Sequence, residues 1–283
     1  MAFDSAFLQA VKASRTNPKL MERETYYDET DGLLHCCRCG YPAVFWAPYP
    51  CSDRKILVGV TCPCIEERNR QEREANEKAM RMSKVEANTS RGFESEEMQK
   101  WKFSADDGRH SFGMETARKY CIYFDKCRAD GFGIVFYGDV GTGKTFAAAC
   151  IANELLSQGY TVKMTNFTRI VARMQENFKS RSSYFDELAG YDLLIIDDLS
   201  TERNTEYMNE QIYELVNARY VAKRPMIFTT NLNDAEMSNP ADITKQRIFS
   251  RINERCRFIE FKGEDRRTED INRFKEYDGI FNF

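Results

Sequence analysis

The sequence predicts an α/β fold, a parallel sheet with helices on both faces, preceded by a small cysteine-rich module and a charged helical linker. Three observations carry that expectation. Short apolar runs of the kind that form buried strands alternate with longer helical patterns between residues 133 and 261. A glycine-rich stretch at residues 138–145 joins the first of those strands to an alanine-rich helix. Six of the ten cysteines fall between Cys36 and Cys64, followed by a run rich in charges of both signs.

At 283 residues, 42% of them hydrophobic, the chain is long enough for one sizeable core and a smaller appendage. The expected division is an N-terminal module at 1–66, a linker at 67–102 and an α/β domain at 103–283. The formal net charge of -3 supplies no overall basic field, so contact with nucleic acid would need a local patch. No apolar run reaches the ~18 residues of a membrane span, and Met1 to Ala10 lack the basic-then-apolar order of an export leader. A cytoplasmic protein with reduced thiols is expected.

Clustered cysteines in a reducing compartment read as metal ligands. Cys36 and Cys39 form a Cys-x-x-Cys pair and Cys62 and Cys64 a Cys-x-Cys pair. Together they offer four thiolates for a tetrahedral, structural Zn2+ site with no open position for a water. Cys37, Cys51 or His35 could replace one of the four. A region this short, with apolar content limited to residues such as Val44, Phe45, Trp46 and Ile56, gains stability from a metal staple. The other cysteines, Cys121, Cys127, Cys150 and Cys256, lie in apolar patterns and read as small hydrophobes.

Residues 65–102 are mostly charged helix formers, and sparse apolar positions such as Met80 and Val85 sustain no heptad, so an exposed helical spacer is expected rather than a coiled coil. Beyond it come a strand at 133–137, a helix at 144–157, a strand at 161–164 and helical segments near 167–178. A buried strand at 193–196, a long helix at 206–222, and strands at 226–229 and 257–261 complete the order.

Gly138-Asp139-Val140-Gly141-Thr142-Gly143-Lys144-Thr145 fits Gly-x-x-x-x-Gly-Lys-Thr in a strand-to-helix context. Such a loop curls its amides around phosphate oxygens at a helix N-terminus, Lys144 reaches the terminal phosphates, and Thr145 offers its hydroxyl to Mg2+. A metal-side carboxylate is then expected at the end of a neighbouring strand. Leu193-Leu194-Ile195-Ile196-Asp197-Asp198 supplies it, with Asp197 facing the metal and Asp198 as the base for an attacking water. Asn231 follows the strand Met226-Ile227-Phe228-Thr229-Thr230 and is expected at the same edge, where its amide can orient that water.

These motifs, with Arg247-Ile248-Phe249-Ser250-Arg251-Ile252, resemble Walker A, Walker B, sensor 1 and the arginine-bearing box of AAA+ ATPases. More narrowly, residues 101–261 resemble the DnaC-like and DnaI-like helicase loaders and the related IstB transposition ATPases. The resemblance implies an AAA+ P-loop sheet without a C-terminal lid domain, ATP and Mg2+ as ligands, and Arg251 as an arginine finger, with Arg247 and Arg255 as alternatives. Asp198 stands where many AAA+ proteins carry Glu. Also implied are self-association through the ATPase domain, a DnaB-type replicative helicase as partner of the N-terminal module, and single-stranded DNA.

For DNA, Arg169, Arg173, Lys179 and Arg181 with Phe167 and Phe178 suit backbone neutralisation and base stacking, though the same residues also fit a plain solvated helix face. Three functions are therefore in play. They are a helicase loader, an IstB-like ATPase acting with a transposase on duplex DNA, and a zinc-bearing adaptor in which ATP is a conformational latch.

Overall fold

The computed structural model describes residues 24–48, 53, 55–109, 111–176, 181–199, 206–233, 236–237, 243–265, 277 and 280. Cys51, Phe178 and Lys179 lie outside the described residues. The chain forms two compact units, divided between Met80 and Arg81.

The first unit holds two antiparallel hairpins. In one, β1 (Thr25–Asp28) pairs with β2 (Leu33–Cys36), in register from Thr25 opposite Cys36 to Asp28 opposite Leu33. Its turn is built by local side-chain bonds: the Asp28 carboxylate accepts from the Thr30 amide (2.9 Å) and hydroxyl (2.6 Å), and Gly32 supplies a φ of 70°. In the other, β3 (Val44–Pro48) pairs with β4 (Lys55–Gly59). These strands carry no alternating apolar pattern and so cannot be read from periodicity: β3 buries Val44 but exposes Phe45 and Trp46. Burial in this unit is confined to His35, Cys36, Ala43, Val44 and Cys62 among the described residues.

Helix α1 (Pro63–Gly92) starts with proline at its first position, where no amide is needed, and its first turn closes with the Glu66 amide on the Cys62 carbonyl (3.1 Å). Through the first unit it is the solvated helix expected, carrying pairs such as Arg70–Glu67 (2.6 Å). Its end departs from that reading. Gly92 and Phe93 are buried, and a Cβ on Gly92 would lie 2.9 Å from the Val162 carbonyl. Lys163, itself buried, donates to the Arg91 carbonyl (3.0 Å) and pairs with Glu94 (2.6 Å). Met98, Trp101 and Phe103 then pack on the core of the second unit. Composition alone could not separate these last residues from the solvated run that precedes them.

The second unit is a five-stranded, all-parallel sheet ordered β6-β7-β8-β5-β9. Its strands are β5 (Gly133–Gly138), β6 (Val162–Thr165), β7 (Leu193–Ile196), β8 (Met226–Thr230) and β9 (Cys256–Phe261). Successive strand residues feed opposite faces. Ile134, Phe136, Leu193, Ile195 and Ile227 join a core with α2 (Ser111–Ile122), α3 (Phe124–Asp130) and α4 (Lys144–Gln158). Val135, Leu194, Ile196, Met226 and Phe228 join a second core with α5 (Phe167–Glu176), α6 (Arg181–Gly190), α7 (Glu206–Val221) and α8 (Ile243–Arg255). Cys121, Cys150 and Cys256 are buried, as small hydrophobes should be, and burial pushes the Cys150 and Cys256 thiols up to about 12.

Helix α6 was not foreseen, being short and anchored in the core chiefly through Tyr184 and Leu188. The buried guanidinium of Arg219 holds it in place, donating to the carbonyls of Leu188 (2.8 Å), Tyr191 (3.1 Å) and Pro225 (2.7 Å). No C-terminal lid domain forms among the described residues. No helix of the described residues is long and apolar enough to cross a membrane.

Candidate functional site

Because β5, β7 and β8 run parallel, their C-terminal ends share one edge of the sheet. The glycine-rich loop leaves β5 at Gly138 and enters α4 at Lys144, with Gly141 and Gly143 at φ of 75° and 95°. Gly138 itself, at 124°, has no room for a Cβ because the Phe261 carbonyl of β9 lies there. Lys144 is 7% exposed and donates to the carbonyls of Gly138 (2.8 Å) and Asp139 (2.5 Å). The Thr142 hydroxyl closes the loop on the Asp139 carbonyl (2.9 Å). Val140 is exposed at the loop's tip.

Asp197 follows β7 immediately. Burial pushes its carboxyl above the usual range, opposed by hydrogen bonds from the Thr229 and Thr145 hydroxyls and by the charge of Lys144. Thr145 and Asp197 are thus brought together, as a shared metal would require. The Thr229 hydroxyl donates to Asp197 Oδ1 (2.6 Å) and accepts from the Asp198 amide (2.9 Å). Asp198 is exposed and sits at a φ of 56°, a left-handed conformation that turns the chain off the strand. Asn231 is exposed one residue beyond β8. The role of Thr229 was missed: a threonine at the end of β8 reaches Asp197 only because β8 lies beside β7.

Arg251 is not brought to this edge within the chain. It donates to Asn217 Oδ1 (2.9 Å) and the Tyr213 hydroxyl (3.0 Å) and stacks on the Tyr213 ring at 4.7 Å. Arg255 stacks on Tyr220 at 4.8 Å, and Arg247 is exposed one turn before Arg251.

The proposed DNA segment is corrected in one respect: Phe167 is buried in the core and cannot stack on a base. Its spacing with Ile170, Val171 and Met174 marks the core face of α5, a periodicity that could have shown this in advance. Arg169 approaches Glu94 (3.5 Å) and Arg173 lies over the Tyr184 ring at 5.0 Å.

In the first unit the sulfurs of Cys36, Cys39, Cys62 and Cys64 all lie within 4.8 Å of one another. The Cys36–Cys64 and Cys62–Cys64 separations are 3.6 and 3.2 Å, against about 3.8 Å between thiolates on a tetrahedral Zn2+ with ~2.3 Å bonds. Cys36 accepts from the Cys39 and Arg38 amides, which bring its thiol down to about 6, while hydrogen bonding to Cys62 pushes Cys64 up to about 12. Of the alternatives, Cys37 is exposed, and His35 is engaged by the Gly40 carbonyl and Asp31 (2.8 Å each).

The family model for IstB-like ATP binding protein matches residues 64–273, which include every residue of the sheet edge described above. The chain belongs to the IstB-like ATP-binding family. Among its relatives, the replicative helicase loader DnaC of Escherichia coli K12 is 32% identical over 143 residues, 49% of this chain and 56% of that protein. An insertion sequence ATP-binding protein of Sinorhizobium fredii is 32% identical over 109 residues, 38% of this chain and 36% of that one. The chain therefore spans about half or less of the length of these curated relatives. A crystal structure of the DnaC helicase loader shares the fold, with a TM-score of 0.51 at 20% identity, covering 59% of this chain and all of that one. Three of the four clustered cysteines precede the span of this IstB-like match, so the metal reading rests on their geometry.

Proposed function

We propose that this IstB-like protein is an ATP-dependent loader of a DnaB-type replicative helicase onto single-stranded DNA. The observation that carries the reading is the 32% identity with a helicase loader over 143 residues, together with a phosphate loop, Asp197 and Thr229 that converge on one sheet edge.

ATP would be held by residues 138–145, with Lys144 exchanging its loop carbonyls for the terminal phosphates. Thr145 and Asp197 would hold Mg2+, which when bound neutralises charge on those phosphates. Asp198 would take the proton of the attacking water that Asn231 orients. Arg251 would reach the γ-phosphate bound by a neighbouring copy, leaving Asn217 and Tyr213 to do so. Cys36, Cys39, Cys62 and Cys64 would hold a structural Zn2+ that keeps the helicase-docking unit folded.

A second reading is favoured by the insertion sequence relative: action with a transposase on duplex DNA. Co-purification separates the two. The full chain with ATP should retain a hexameric replicative helicase and prefer single-stranded DNA. Failure to retain the helicase, together with a preference for duplex DNA, would move the assignment to the second reading.

A further inference from the structure

After β9 the chain turns directly across the phosphate loop. Gly141 has no room for a Cβ because the Asp265 carboxylate occupies that position, and the Asp265 Cα lies 2.9 Å from it. Asp265 is half-buried while Glu264 beside it is exposed. Within the same loop, Lys144 and Thr142 are spent on loop carbonyls. The loop's own cation is thus turned onto its backbone, and an acidic side chain rests on its middle glycine, where a triphosphate would bring several more negative charges.

We propose that Asp265 is an acidic latch on the phosphate loop, its carboxylate holding the ground beside Gly141 until nucleotide phosphates displace it. The inference rests on residues 138–145 being the nucleotide site. Its physical basis is repulsion: a carboxylate resting on the loop opposes the entry of phosphates, and the opposition is partly screened because Asp265 is only half-buried. Nucleotide binding then moves Asp265, which gives the end of the described segment after β9 two positions set by the state of the loop. Glu264, pointing its charge into solvent, should matter little.

The test is equilibrium binding of Mg2+-ATP to the full chain and to Asp265→Asn, Glu264→Gln and Lys144→Ala. Asp265→Asn should bind about five-fold tighter at low salt, with the gain shrinking toward roughly 0.5 M salt. Glu264→Gln should stay near wild type and Lys144→Ala should lose tight binding. Asp265→Ala should reproduce the gain. If Asp265→Asn and Asp265→Ala bind no tighter than wild type while Lys144→Ala is dead, the latch is wrong and the nucleotide site stands. An equal gain from Glu264→Gln would also overturn it, since any nearby charge would then suffice. If Lys144→Ala binds as well as wild type, the nucleotide reading itself fails.

Discussion

The Thr229 hydroxyl ties the Asp197 carboxylate to the backbone of the next residue, donating to the Asp197 side chain and accepting from the Asp198 amide. Thr229→Val keeps the shape and removes both bonds. Mg2+ affinity should fall roughly 10–100-fold, as for other groups that orient a ligand, while ATP binding without metal stays measurable; an unchanged Mg2+ titration would remove Thr229 from the site. Asp197 gives a pH dependence of known sign. Burial raises its pKa above 3.8, so the folded chain holds this proton more tightly than the unfolded chain does. The buried charge therefore opposes folding above that raised value, and Asp197→Asn without ligand should unfold at a higher temperature than wild type near neutral pH. Mg2+ needs the carboxylate, so its binding should weaken with falling pH before an ordinary aspartate would titrate. A lower unfolding temperature for Asp197→Asn, or pH-independent Mg2+ binding down to pH ~4, would contradict the assignment. These residues differ in how legible they were. Lys144, Thr145 and Asp197 could be read because phosphate chemistry dictates their spacing, whereas Thr229 acts through a neighbouring strand and emerges only from the strand order β7-β8.

Helix α1 and the hairpins before it depend on different forces. Strand β7 was readable because it is a continuous apolar run, Leu193, Leu194, Ile195 and Ile196, all fully buried. The hairpins were not, since their residues bury little; the proposed four-cysteine site would supply the staple they need. That predicts one Zn2+ per chain, lost in Cys62→Ser and kept in Cys37→Ser, as elemental analysis of the purified variants would report. Chelation should unfold the hairpins and abolish helicase retention while ATP affinity survives. Simultaneous loss of both would mean that the two units do not fold separately. Within the second unit, Phe93 was illegible because it enters a core built mostly beyond residue 113, whereas the inward turn of Phe167 was legible in its spacing with Ile170 and Met174.

For the whole molecule, Arg251 rests on Asn217 and Tyr213 within its own chain, and the proposed reaction would have it act on the nucleotide of a neighbouring copy. An arginine supplied across an interface contributes about 10³–10⁵ in rate in comparable phosphoryl transfers, so isolated chains should turn over ATP very slowly. Arg251→Ala should bind ATP normally and lose turnover stimulated by helicase or DNA. Mixed with Lys144→Ala, it should recover part of that turnover, because some interfaces then join an intact loop to an intact arginine. If demonstrated mixed assemblies stay inactive, Arg247, exposed one turn earlier, becomes the residue to replace. The central claim is ATP-dependent loading, and it is tested by measuring transfer of a hexameric replicative helicase onto closed circular single-stranded DNA, which has no end to thread. The wild-type chain with Mg2+-ATP should place the helicase on the circle and Lys144→Ala should not. Equal transfer by the two proteins, or none by either despite stable helicase binding, would contradict it.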